Sequence, residues 1–140
     1  MAQIALPSGI MIEEADLSFR FIHASGPGGQ NVNKVATAVE LRFDSRGATA
    51  LPDLMRARLT RLAGQRMTQT GVIVILAQSF RSQLRNREDA MARLDALLSA
   101  AAKTPRKRRP TRPTRASKER RLDSKARRSG TKRLRGAPDE

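Results

Sequence analysis

The chain has 140 residues, a formal net charge of +15, no cysteine and a single histidine. This length suits one compact domain, and the cysteine and histidine counts exclude disulfides, thiolate nucleophiles and Cys- or His-rich metal sites. We expect no metal and no cofactor. The chain also lacks a secretory signal and the roughly 20 consecutive apolar residues that span a bilayer, so we expect an intracellular protein without a membrane partner.

The basic residues are concentrated near the C-terminal end. Residues 103–140 contain 16 of the 28 lysines and arginines but 4 of the 13 acidic residues. We therefore divide the chain into a body, residues 1–102, and a basic tail, residues 103–140. Because the tail has few large apolar residues, we expect it to be disordered when free and partly helical on a polyanion.

The first predicted elements are two strands with a glycine loop between them. Apolar and polar residues alternate in 17–21 and again in 39–44, which predicts two strands paired as a hairpin. Between them lies Ser25-Gly26-Pro27-Gly28-Gly29-Gln30. Taken alone, this cluster favours an ordinary turn. Its glycines also allow a close approach of the main chain to a ligand, and Gln30 offers amide donors and an acceptor without a useful pKa.

The rest of the body predicts a helix, a strand and a second helix. The first helix is predicted to end near Met67. Its apolar residues recur at spacings of four, four and three: Leu51, Met55, Leu59 and Leu62. The five apolar residues Val72–Leu76 predict a central strand covered on both faces. The second helix has a polar start, Asn86–Asp89, and an apolar face made of Leu84, Met91, Leu94, Leu98 and Ala101. This order predicts an α+β fold, a small sheet with two packed helices.

The tail begins with three prolines that block a helix: Pro105, Pro110 and Pro113. Residues 116–128 have fewer helix breakers, and we expect a helix there on binding.

Gly28-Gly29-Gln30, with Asn31–Lys34 and Ala38–Asp44 after it, resembles the catalytic domain of class I peptide-chain release factors. It more closely resembles their short, codon-independent relatives, the alternative ribosome-rescue factor B family of peptidyl-tRNA hydrolases. Arg81-Ser82-Gln83, Asn86-Arg87 and the tail segment 109–122 share this resemblance. Many family members carry histidine where Asn31 stands, so we assign Asn31 no acid–base role.

The resemblance implies hydrolysis of the peptidyl-tRNA ester in the peptidyl-transferase centre of stalled ribosomes, with Gly28, Gly29 and Gln30 as the catalytic residues. The backbone N–H of Gln30 would stabilise the oxyanion while its side chain, which is methylated in some relatives, shapes the site of the attacking water. The resemblance also implies that the tail occupies the channel through which mRNA enters the small subunit, so that release needs no codon and no decoding domain.

The implied partners are the ribosome, its rRNA and peptidyl-tRNA, and we expect a monomer in the bacterial cytoplasm or an organelle. The expected RNA-binding residues are Lys34, Arg106, Lys107, Arg108, Arg109, Arg112, Arg115, Lys118, Arg120, Arg121, Lys125, Arg127 and Arg128.

Several alternatives stay open. Lys34 contacts either RNA phosphate or one of the carboxylates of Glu40 and Asp44. We expect His23 to be a packing residue or incidental, and Ser25 has no evident triad partners. The chain is alternatively a hydrolase of free peptidyl-tRNA, or a non-enzymatic RNA- or ribosome-binding protein whose glycine loop is a plain turn.

Overall fold

A computed structural model describes residues 2–24 and 36–136 of the chain. The described strands are β1 Gln3–Ala5, β2 Met11–Glu13, β3 Leu17–Ile22, β4 Ala38–Asp44 and β5 Val72–Ala77. The described α-helices are α1 Asp53–Ala63, α2 Gln83–Ala102 and α3 Arg115–Arg135, with short 3-10 turns at Glu14–Asp16 and Gly64–Arg66. The predicted α+β fold is confirmed.

Strands β3, β4 and β5 form an antiparallel sheet in that order. The predicted hairpin is confirmed, since β3 pairs with β4 from Leu17 opposite Phe43 to Ile22 opposite Ala38. The prediction that β5 is central and covered on both faces is wrong, because β4 lies between the other two strands. Burial in β5 alternates as α2 packs against β4 and β5: Ile73 and Ile75 are buried, whereas Leu76 is exposed.

The two body helices bury slightly different faces from those predicted. In α1 the buried residues recur every fourth position, at Met55, Leu59 and Ala63, and Leu62 is 48% exposed. The helix ends at Ala63, four residues before the predicted end near Met67. In α2, Leu84 is 65% exposed, and the buried residues are Asn86, Ala90, Leu94, Leu98 and Ala101.

An N-terminal hairpin completes the core and has no counterpart among the predicted elements. Strands β1 and β2 pair in register from Gln3 opposite Glu13 to Ala5 opposite Met11. The connecting turn includes Gly9 at a φ of +85°, a left-handed conformation that favours glycine. The hairpin contributes the buried side chain of Ile12 to the core, and the Ser8 hydroxyl donates a hydrogen bond to Asp95 on α2.

The chain divides into two compact units, residues 1–104 and 105–140, and every buried described residue lies in the first. In the second unit, the proline-rich segment before α3 has neither helix nor strand, as predicted. Thr114 caps α3 by accepting a hydrogen bond from the backbone N–H of Ser117 at 3.2 Å. The helix includes the predicted segment 116–128 and continues to Arg135. Among the described helices, none is both long and apolar enough to cross a membrane.

Candidate functional site

Residues 25–35, which contain the glycine loop, follow β3 and precede β4; we call them the glycine segment. Gly28, Gly29, Gln30, Asn31 and Lys34 all lie outside the described residues, so their assigned roles stay predictions. The described chain ends at Ala24 on one side of this segment and resumes at Ala36 on the other. The two strands are paired up to Ile22 and Ala38, so the sheet brings both ends of the segment to the same place.

The N-terminal end of α2 contacts the chain where it leaves the glycine segment. The side-chain amide of Gln83 donates to the carbonyl oxygen of Ala36 at 3.0 Å. The side-chain amide of Asn86 donates to the carbonyl oxygens of Thr37 at 2.7 Å and Phe80 at 2.8 Å. Two consecutive carbonyl groups next to the glycine segment are therefore held by one helix end.

Asn86 is a further candidate for a functional residue that is absent from the predicted site residues. The sequence predicts only a polar start for α2, and in the structure Asn86 is 0% exposed. Its side-chain oxygen also accepts a hydrogen bond from the backbone N–H of Phe80 at 2.9 Å. The one available signal was its place in the Arg81-to-Arg87 motif of the family resemblance.

Aromatic and basic side chains surround the same end of the sheet. The Arg87 guanidinium lies 4.4 Å from the ring centroid of Phe19 on β3, within the range of a cation–π contact. Phe21, on the same face as buried Val39, is 45% exposed, so the predicted core face of β3 is incomplete at its end. His23 is exposed and is therefore not a packing residue.

The carboxylates that were alternatives for Lys34 have described partners of their own. Glu40 lies 3.6 Å from Arg42, and Asp44 accepts hydrogen bonds from the backbone N–H groups of Arg46 and Gly47 at 3.0 Å each. Lys34 itself lies outside the described residues, so both of its alternatives stay predictions. Within the described ranges, no cluster of three or more His, Asp or Glu side chains is arranged to hold a metal ion.

An acidic region lies at the opposite end of β3 from the glycine segment. Burial, together with the neighbouring carboxylates of Glu13 and Asp44, raises the pKa of Asp16. One Asp16 carboxylate oxygen is buried and has no hydrogen-bond partner among the described residues. Because Asp16 precedes β3 and the glycine segment follows its other end, we give this acidic region no role in the site.

The predicted tail residues fall into two groups. Five lie in the exposed segment before α3: Arg106, Lys107, Arg108, Arg109 and Arg112. Seven lie in α3, where every residue is exposed: Arg115, Lys118, Arg120, Arg121, Lys125, Arg127 and Arg128. Three further basic residues of α3 lie beyond the predicted helical segment: Lys132, Arg133 and Arg135.

The helical geometry sorts these cations by side. Six of them recur at alternating spacings of three and four, which places them along one side of the helix; we call them the cationic stripe: Lys118, Arg121, Lys125, Arg128, Lys132 and Arg135. The opposite side carries both acidic residues of the helix and two small ones, flanked by the remaining arginines: Glu119, Asp123, Ala126 and Gly130, with Arg115, Arg120, Arg127 and Arg133 beside them. A helix with this charge distribution presents one strongly positive side to a polyanion.

Comparison with known proteins identifies the family. The RF-1 domain family matches residues 5–135. The chain is 48% identical over 136 residues to peptidyl-tRNA hydrolase ArfB of Pseudomonas putida, with 97% of this chain and 98% of that protein covered. The chain belongs to the ArfB branch of the RF-1 domain family. The expected family membership is thus confirmed.

More distant RF-1 relatives match parts of this chain. The large ribosomal subunit protein mL62 of Mus musculus is 30% identical over 90 residues, which is 64% of this chain and 44% of that protein. Peptide chain release factor 1 of Enterococcus faecalis is 39% identical over 82 residues, which is 59% of this chain and 16% of that protein. By their names, these two relatives are a ribosomal subunit protein and a peptide chain release factor.

Proposed function

We propose that this chain hydrolyses the ester bond of peptidyl-tRNA on stalled ribosomes, releasing the nascent peptide without reading a codon. The observation that carries this function is the 48% identity, over nearly the full length of both chains, to a peptidyl-tRNA hydrolase. The Gly28-Gly29-Gln30 sequence and the cationic stripe support it, because the reaction needs a positioned donor and the substrate lies among RNA phosphates.

Water is the nucleophile in the mechanism we propose. The backbone N–H of Gln30 stabilises the oxyanion of the tetrahedral intermediate, and its side chain shapes the space for the attacking water. Gln30 does not accept the proton, because a carboxamide has no useful basicity. Water adds to the carbonyl carbon, the ester C–O bond breaks, and the water's proton passes by way of the neighbouring ribose hydroxyl of the substrate to the leaving ribose oxygen. Gly28 and Gly29 keep the main chain free of side chains that would obstruct the tRNA end.

The tail supplies ribosome affinity. Residues 105–136 have no buried side chain in the described structure, so the tail is accessible along its whole described length. The cationic stripe would contact rRNA phosphates in the mRNA channel when no mRNA occupies it, with the arginines forming two-point contacts. The ribosome and peptidyl-tRNA are thus the partners we propose for a monomeric, bacterial cytoplasmic chain.

Peptide release from ribosomes stalled on truncated mRNA tests the hydrolase function. The wild-type chain should release labelled peptide, and Gln30→Ala should release it at least about tenfold more slowly. Gln65→Ala is the matched control, because Gln65 lies exposed in the turn Gly64–Arg66. Equal release by wild type and Gln30→Ala would refute a positioning role for that side chain.

Two further arms of the assay address the alternative functions. Hydrolysis of purified peptidyl-tRNA in the absence of ribosomes would favour a free peptidyl-tRNA hydrolase. Ribosome binding without any release, unaffected by Gln30→Ala, would favour a non-enzymatic binding protein.

A further inference from the structure

The buried amide of Asn86 joins three parts of the chain that are distant in sequence. It lies on the first turn of α2, donates to the carbonyl oxygen of Thr37 at 2.7 Å, and exchanges hydrogen bonds with both backbone groups of Phe80. Both amide hydrogens and one oxygen acceptor site are therefore used at a fully buried position. A buried amide with this many partners fixes the geometry of the groups that it bonds.

Thr37 and Ala36 lie just outside the sheet ladder. The pairing of β3 with β4 begins at Ala38, so Ala36 and Thr37 lie outside the paired residues of the sheet. Gln83 donates to the carbonyl oxygen of Ala36 at 3.0 Å, and Asn86 donates to that of Thr37 at 2.7 Å. The direction in which the chain enters β4 from the glycine segment is thus set by two side chains of α2.

The helix that carries these two side chains is itself held firmly. Its later turns bury Ala90, Leu94 and Leu98 in the core. From within the helix, the Arg93 guanidinium donates to two groups of the preceding chain, the carbonyl oxygen of Leu76 at 3.1 Å and the Ser79 hydroxyl at 3.2 Å. The Asn86 contact is therefore part of the buried core, whereas the Gln83 contact to Ala36 lies at the surface of the same helix end.

The strand that leads into the glycine segment contacts the same helix end. Arg87, the residue after Asn86, places its guanidinium over the Phe19 ring of β3. Chain on both sides of residues 25–35 is thus in contact with the first turns of α2. Preorganised positioning of a reacting group depends on supporting contacts of this kind.

We propose that Asn86 and Gln83 are positioning residues for peptide release, holding the exit of the glycine segment so that Gln30 meets the ester in a fixed orientation. This inference rests on the proposed hydrolase function. Neither residue touches the substrate; each acts through the backbone of Ala36 and Thr37. A displacement of about 1 Å at a reacting group lowers a rate about 100-fold, so loss of these bonds should appear mainly in the rate constant at saturation.

Two substitutions remove the donors while keeping the side-chain size. Asn86→Asp keeps the acceptor for the Phe80 N–H but places a carboxylate oxygen against two carbonyl oxygens. Gln83→Met removes the donor to Ala36 at an exposed position, where folding is not at risk. Gln65→Met is the surface control. Ser45→Ala is the stability control, because its hydroxyl donates to Gly71 at 2.6 Å beyond the opposite end of β4.

The experiment measures single-turnover peptide release from stalled ribosomes over a range of protein concentrations, with each variant verified as folded at the assay temperature. Asn86→Asp should lower the saturating rate constant at least about tenfold and Gln83→Met by a smaller factor. The concentration for half-maximal rate should stay within about twofold of wild type, since the tail supplies the binding. Hydrogen exchange in residues 36–40 should accelerate in Asn86→Asp and not in Ser45→Ala.

The outcomes separate this inference from the function beneath it. Wild-type activity with unchanged rate constants in both Asn86→Asp and Gln83→Met would overturn the positioning role alone. An equal loss of rate in Ser45→Ala would overturn it as well, because the effect would then follow general stability. A wild-type chain that releases no peptide from stalled ribosomes would overturn the proposed hydrolase function and, with it, the positioning role.

Discussion

Two matched pairs of arginines in α3 test whether the arrangement of the tail cations matters. Replacing Arg121 and Arg128 with glutamine removes two charges from the cationic stripe. Replacing Arg120 and Arg127 with glutamine removes two charges about a third of a turn away. Both pairs are seven residues apart and change the net charge equally, and glutamine has nearly the helix propensity of arginine.

The expected difference follows from counterion release. Each neutralised phosphate contributes about 0.7 to 0.9 to the slope of log affinity against log salt concentration, so the stripe pair should lower the slope by about 1.4 to 1.8. Between about 50 and 200 mM salt, wild-type binding should therefore weaken about tenfold more than binding of the stripe variant. The other pair should change affinity mainly through screened, longer-range attraction.

The assay is equilibrium binding of the labelled full chain to stalled ribosomes over a salt series. Wild type, the Arg121/Arg128 variant and the Arg120/Arg127 variant are compared at each salt concentration. Equal slopes for the two variants would show that total charge, and not the cationic stripe, governs binding.

Three further predictions concern the body. A chain ending at Thr104 should melt within about 2 °C of wild type in a thermal scan, because no buried described residue lies beyond it, and should release no peptide. Asp16→Asn should raise the melting temperature at neutral pH, because the raised pKa of Asp16 means that its ionised form disfavours the fold; this gain should shrink as the pH falls through the raised pKa and vanish below the ordinary aspartate pKa of 3.8. Leu94→Ala should lower the free energy of unfolding by about 2 to 5 kcal/mol in urea, whereas Leu84→Ala at its exposed position should change it by less than about 0.5 kcal/mol.

Each of these has a contradicting result. A large drop in melting temperature on truncation would show that the tail supports the body. A constant effect of Asp16→Asn at all pH values would mean that its ionisation is not responsible. Similar losses for Leu94→Ala and Leu84→Ala would refute the packing of α2.

The sheet was predictable to the extent that its periodicity was long enough to detect. Alternation over 17–21 and 39–44 correctly predicted β3, β4 and their pairing. The three-residue strands Gln3–Ala5 and Met11–Glu13 are too short for a period to appear. The central position assigned to β5 was wrong because an uninterrupted apolar run does not distinguish an edge strand from a central one.

The glycine motif of the candidate site could be recognised in the sequence, but the hydrogen bonds from α2 to the neighbouring backbone could not. The glycine segment and the basic tail were evident from composition and resemblance. The burial of Asn86 was not, since polar residues at a helix start are ordinarily solvated. Its hydrogen-bond partner Thr37 is 49 residues away in sequence and comes close only when α2 packs on the sheet.

The most direct test of the tail as a sensor of an empty mRNA channel is peptide release from two ribosome complexes that differ only in mRNA length. The wild-type chain should release peptide rapidly when the mRNA ends in the decoding site and slowly when the mRNA fills the channel, whereas the chain ending at Thr104 should release it from neither. Equal wild-type rates on the two complexes, or full activity of the truncated chain, would contradict this mechanism.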